Sequence, residues 1–188
     1  MKNILFVNAC FRPDSRTLVL AERVLEKLDG QVEEVNLERE GILPLHAKTL
    51  EEREALVQAG DYTHPIFRYA RQYAQADVII VAAPCWDLSF PAVLKVYLEN
   101  VMVLGITFQY TPQGIPEGLC KAKEVIYVTT AGGPLMGNDQ GFQYVKALAQ
   151  VYHGIPTVRC FAAENLDIVG ADVEKILGKT LEKIDEGM

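Results

Sequence analysis

Val78-Ile79-Ile80-Val81-Ala82-Ala83-Pro84-Cys85-Trp86-Asp87-Leu88-Ser89-Phe90-Pro91 lies near the middle of the chain. It begins as an unbroken apolar run of strand length, the pattern of a central parallel strand covered on both faces. Pro84 has no amide hydrogen to give a neighbouring strand, so the strand stops there. A short loop follows, and residues 90–102 read as a helix, with Ser89 and Pro91 suited to its start. A strand, a loop and a helix in mid-chain put that loop at the carboxyl edge of a sheet, where open parallel sheets bind ligands.

On either side of it the same alternation repeats. Residues 3–8 form a short apolar strand, and Ser15 is a good cap for the helix after it, with Thr17 in the first turn. Leu18, Ala21, Leu25 and Leu28 recur at helical spacing, and Gly30 is expected to end that helix. Residues 32–37 suit a strand nearer the sheet edge. Residues 38–76 are a long excursion with two helical stretches, more than a βαβ crossover needs, and read as a lid or an interface element. Residues 124–130 are another buried strand, ending in Ala131-Gly132-Gly133-Pro134. Residues 155–162 form the last strand, and Val173, Ile176, Leu177, Leu181 and Ile184 mark the last helix. The expectation is one α/β domain over residues 1–188: a doubly wound, five-stranded parallel sheet of order 2-1-3-4-5, with helices on both faces.

Composition excludes several classes. The formal net charge is −7 and the basic residues are scattered, which argues against a nucleic-acid or anionic-membrane partner. No apolar run approaches bilayer length, and residues 4–7 are too short for a secretory leader. Cys10, Cys85, Cys120 and Cys160 lie far apart with no metal-ligand spacing, so no metal site is expected and free thiols in a reducing cytoplasm are the economical reading. His46, His64 and His153 are dispersed and read as surface or capping residues.

The topology gathers three loops at one edge, residues 9–16, 84–89 and 130–137. Ser15, Arg16 and Thr17 stand at a helix N-terminus, where free amides and the helix dipole suit a phosphate. Neither GxGxxG nor GxxxxGK[ST] is present, which argues against dinucleotide-binding Rossmann and NTPase sites. Pro84, Cys85, Trp86, Asp87 and Leu88 offer an aromatic beside a planar ring, and Thr130, Ala131, Gly132 and Gly133 let backbone approach a ligand closely. A phosphate, a chain and a flat heterocycle fit such a set, and FMN has those parts. Ser-x-Thr at a helix start is also an ordinary cap, and a lone tryptophan is also an ordinary packing residue.

Three stretches carry a family resemblance: residues 8–17 (Asn-Ala-Cys-Phe-Arg-Pro-Asp-Ser-Arg-Thr), residues 83–95, and residues 105–111 continuing through Gly118-Leu119 to Thr129-Thr130-Ala131-Gly132-Gly133. They resemble the FMN-dependent NAD(P)H:quinone oxidoreductase and azoreductase family, of flavodoxin-like fold. That resemblance implies an FMN flavoprotein enzyme that moves two electrons from NAD(P)H to a quinone or azo compound by a ping-pong mechanism. It also implies a homodimer with FMN near the subunit interface. It assigns FMN contacts to Cys10, Ser15, Arg16, Thr17, residues 84–88 and residues 130–133, and no catalytic side chain. This chain departs from the family where Cys85-Trp86-Asp87 replaces the usual Met-Tyr-Asn, where Thr130-Ala131 replaces Ser-Arg, and where Cys10 replaces a serine. An electron-carrier flavodoxin and a flavin-free interaction module are the alternatives, and the three loops argue against the second.

Overall fold

The computed structural model describes residues 1–188. Its strands, in chain order, are β1 (Lys2–Asn8), β2 (Gly30–Asn36), β3 (Val78–Ala82), β4 (Phe108–Tyr110), β5 (Pro116–Gly118), β6 (Glu124–Thr130) and β7 (Thr157–Ala163). Five of them form one parallel sheet, ordered β2-β1-β3-β6-β7. Counted along the chain, the strands of that sheet run 2-1-3-4-5, as expected. The remaining two, β4 and β5, pair antiparallel as a small separate hairpin that the turn-rich sequence did not announce.

Side-chain alternation sends each strand's residues to two cores. Ile4 and Phe6 of β1, Ile80 of β3, and Ile126 and Val128 of β6 meet Leu20, Ala21 and Val24 of α1 (Arg16–Glu26) and Ile184 of α6 (Val173–Gly187). Leu5, Val7, Ile79, Val81, Val125 and Tyr127 face the other way. There they meet Tyr73 of α3 (Arg68–Gln75), Leu94, Tyr97 and Leu98 of α4 (Ala92–Val101) and Val145 of α5 (Gln140–Ala147). Each fully buried aliphatic or aromatic side chain contributes about 1.5–3 kcal/mol through burial. That continuous two-sided coverage is why β3 and β6 carry unbroken apolar sequence. The edge strand β2 is mostly exposed.

Two local readings shift. Helix α1 stops at Glu26 with Lys27 as its cap, and Gly30 instead opens β2. There a Cβ would lie 2.6 Å from the Lys2 carbonyl oxygen. The excursion contains α2 (Ala47–Ala59), a short turn at Pro65–Phe67, and α3. Arg53 of α2 is buried and donates through Nη2 to the Met102 carbonyl at 3.0 Å and through Nη1 to that of Glu99 at 3.4 Å. It satisfies carbonyls left open at the end of α4 and so fastens α2 to the core.

His153, expected to be a surface or capping residue, is fully buried where it caps the helix following α5. Its Nδ1 lies 3.2 Å from the Tyr73 hydroxyl and its ring packs edge-on against Tyr73. Gly118 of β5 presses on the His153–Gly154 backbone so closely that no Cβ would fit. Burial pulls the His153 pKa down to about 4. The unfolded chain therefore takes up the proton first, and stability present above pH ~6.5 is lost as pH falls toward 4. The loss should total roughly 3 kcal/mol at about 1.4 kcal/mol per pKa unit. Urea unfolding of wild type and His153→Leu between pH 4 and 7 checks this: the variant should lack that part of the acid sensitivity.

Candidate functional site

The loops after β1, β3 and β6 meet at the carboxyl edge of the sheet, and a cleft of about 280 Å³ opens among them. The first loop begins where Ala9 N–H donates to the Ala82 carbonyl of β3. Asn8 Oδ1 accepts from Cys10 N–H at 2.9 Å, and Ser15 N–H closes a turn onto the Arg12 carbonyl. Ser15 then caps α1, its Oγ accepting from Leu18 N–H. The cap takes up the Leu18 N–H; the amides of Arg16 and Thr17 have no intrahelical acceptor, and both residues line the cleft at the positive end of the helix dipole. Thr17 is fully buried, and its hydroxyl shares a 2.6 Å hydrogen bond with the hydroxyl of Thr130. That bond ties the start of α1 to the third loop.

The second loop is a tight hairpin turn. Trp86 and Ser89 exchange backbone hydrogen bonds of 2.8 and 2.9 Å, and Asp87 and Leu88 between them have φ of +52° and +65°. Both central residues are left-handed, the form that favours Asn and Gly. A leucine there stores strain of about 1–2 kcal/mol. The turn is held from two sides: Cys85 N–H donates to the Thr130 carbonyl at 2.9 Å, and the Leu88 carbonyl accepts from Gln140 N–H at 2.9 Å. Burial and the nearby Asp139 carboxylate push the Cys85 thiol pKa up, so Cys85 is a neutral part of the wall.

Of the residues expected to contact a ligand, Ser15, Arg16, Thr17, Pro84, Cys85, Trp86, Thr130, Ala131 and Gly132 line the cleft together. Cys10 lies beneath it, buried, with its thiol against the Ala82 carbonyl. Asp87 and Leu88 form the exposed tip of the turn, and Gly133 sits just past the lining residues with open space beside its Cα.

The structure adds residues that the sequence reading passed over. Phe11 stacks on Trp86 with ring centroids 5.7 Å apart and 26° between planes, bridging the first and second loops. Arg12 and Asp14 stand on the rim. A fourth loop, after β7, supplies Leu166 and Asp167. It is laced to the third loop by Leu166 N–H to the Ala131 carbonyl and Asp167 N–H to the Gly132 carbonyl. Arg16 crosses to it, donating to Asp167 Oδ1 at 2.8 Å and to the Leu166 carbonyl at 3.3 Å. Behind the cleft, Asp139 caps α5 through Oδ1 while its buried Oδ2 has no partner. Burial raises its carboxyl pKa.

Chemically, the cleft joins an anion-binding helix start to a glycine-bearing backbone wall and an aromatic face. Comparison with known proteins agrees with that reading. A family model described as flavodoxin-like fold matches residues 2–188. The chain is 34% identical over 198 residues to FMN-dependent NADH:quinone oxidoreductase 2 of Clostridium acetobutylicum, covering 99% of this chain and 98% of the relative. It is 32% identical to the FMN-dependent NADH:quinone oxidoreductase of Caldicellulosiruptor saccharolyticus, with the same coverage. Among solved structures, the azoreductase from Bacillus anthracis str. Sterne superposes with a TM-score of 0.87 at 23% identity, over 100% of this chain and 98% of that one. An FMN-dependent NADH-azoreductase from the Ames Ancestor strain, solved in complex with FMN, superposes with a TM-score of 0.83 at 20% identity, over 100% and 97%.

Trp86 is the chain's only tryptophan and is 47% exposed, so it reports on the cleft alone. Phe11→Ala removes the ring stacked on it. The emission of Trp86 should shift to longer wavelength, and acrylamide should quench it faster. Unchanged emission would mean that the stack does not persist in solution.

Proposed function

The chain belongs to the flavodoxin-like fold family, among the FMN-dependent NADH:quinone oxidoreductases, and from that premise we propose that it binds FMN in this cleft and transfers two electrons from NADH to quinones or azo compounds. The observation that carries the proposal is the convergence, in one cleft, of the Ser15–Thr17 helix start, the Thr130–Gly132 backbone and Trp86.

The residues present suit FMN. The α1 amides, with Ser15, Arg16 and Thr17, meet a phosphate. The bare Cα of Gly132 lets the Asp167 carboxylate lie against the backbone wall of the cleft. Residues 84–86 and 130–132 would border the isoalloxazine, with Asp87, Leu88 and Gly133 just outside them, and Cys10 would support the phosphate loop from below. When bound, FMN would supply the chemistry of a ping-pong, two-electron transfer from NADH to the acceptor. The protein's part is to hold and to shield. The Thr17–Thr130 bond sets the distance between phosphate and ring subsites, the doubly anchored turn at Asp87 and Leu88 fixes the ring's border, and the Phe11–Trp86 pair keeps water from one side. No side chain at the cleft is assigned a proton to donate.

The whole chain acts as one domain in this reading, and two copies assemble into a homodimer. Exposed Leu104, Tyr110, Ile115 and Leu119 on and around the β4–β5 hairpin support a covered apolar face there. A cytoplasmic setting is supported by four cysteines that are all free thiols. No helix is long and apolar enough to cross a membrane.

Two measurements test these readings. Titrating apoprotein with FMN should quench Trp86 emission together with flavin fluorescence, and Ser15→Ala with Thr17→Ala should weaken FMN about tenfold while moving riboflavin far less, since only FMN carries the phosphate. No change in either fluorescence at micromolar protein would end the proposal. Sedimentation should give twice the mass of one chain; a single-chain mass would remove the dimer.

A further inference from the structure

The fourth loop brings a carboxylate to the place assigned to a phosphate. Asp167 Oδ1 lies 2.8 Å from Arg16 Nη1, the same nitrogen that reaches the Leu166 carbonyl. The backbone of Asp167 is held by its bond to the Gly132 carbonyl, which keeps the residue at the rim. The cleft's charged lining is Arg12 and Arg16 against Asp14 and Asp167, which is formally neutral. A site suited to a dianion is thus built with one of its two guanidiniums already engaged by an acid of this same chain.

We propose that Asp167 sets the selectivity of this cleft for the phosphorylated flavin by competing with the phosphate for Arg16. The inference rests on the FMN reading above. Asp167 neutralises Arg16 and links the fourth loop to the start of α1. When the phosphate enters, the guanidinium turns to it, because a bidentate contact with a dianion outweighs one exposed ion pair. The Asp167 side chain is 72% exposed, so water takes over its hydrogen bonds at little cost. Binding of the phosphate is therefore weaker than the helix start and a free Arg16 would give, and riboflavin, which has no claim on Arg16, is indifferent to the pair. The same exchange cuts the side-chain link between the fourth and first loops when the cofactor is loaded.

The test compares FMN and riboflavin affinities, by quenching of flavin fluorescence, for apoprotein of wild type, Asp167→Asn and Asp167→Ser at low and high salt. Asp167→Asn keeps the size of the side chain, and Asp167→Ser guards against an effect special to the amide. Both variants should bind FMN about fivefold more tightly with riboflavin unchanged, and added salt should shrink the gain. An unchanged ratio of FMN to riboflavin affinity would overturn the inference and leave the FMN reading standing. Equal weakening for both flavins would overturn it too, by making Asp167 an acceptor for hydroxyls that the two ligands share. Wild type that binds neither flavin would overturn the FMN reading itself, and this inference with it.

Discussion

A strand buried on both faces must pass its chain to a helix on one side of the sheet or the other, and β1 and β3 choose opposite sides. β1 leads into α1, which packs with α6, whereas β3 leads into α4, which packs with α3 and α5. The two chains part at the carboxyl edge, and the space they leave cannot be filled by either crossover. The cleft follows from that divergence. Its floor is Pro84 and Cys85 where β3 ends, one wall is the start of α1, and the other is the loop after β6. The hydrogen bonds that hold it join the start of α1, the end of β6, the turn after β3 and the start of α5: Thr17 to Thr130, Cys85 to Thr130, and Gln140 to Leu88.

Rigid and strained parts are placed accordingly. Beneath the edge, β1, β3 and β6 are almost wholly buried and their register is set by two cores at once. At the edge the backbone takes left-handed conformations at Asp87 and Leu88 without glycine. Such strain persists only where the surroundings over-determine it, and here two backbone bonds from neighbouring loops do so.

Much of this was legible in the sequence because it follows from periodicity and punctuation. The unbroken apolar runs gave β3 and β6 their two-sided burial, Pro84 ended β3, and Ser15 marked the cap of α1. What escaped depends on tertiary distance. His153 looked like a polar residue at a helix end, yet the hairpin of β4 and β5 folds over it. Phe11 has no periodic partner; only the meeting of two loops stacks it on Trp86. The loop after β7 belongs to the same sheet edge by topology, so Leu166 and Asp167 could have been placed there from strand direction alone. Their link to Arg16, across 151 residues of chain, could not.

An enzyme of this kind draws electrons from NADH, whereas a carrier merely holds a flavin. Anaerobic rapid mixing of FMN-loaded protein with NADH, with no acceptor present, separates the two. Flavin absorbance should fall within the time of a catalytic turnover and return in full when a quinone is then added. Flavin absorbance that stays unchanged with saturating NADH would contradict the enzyme reading.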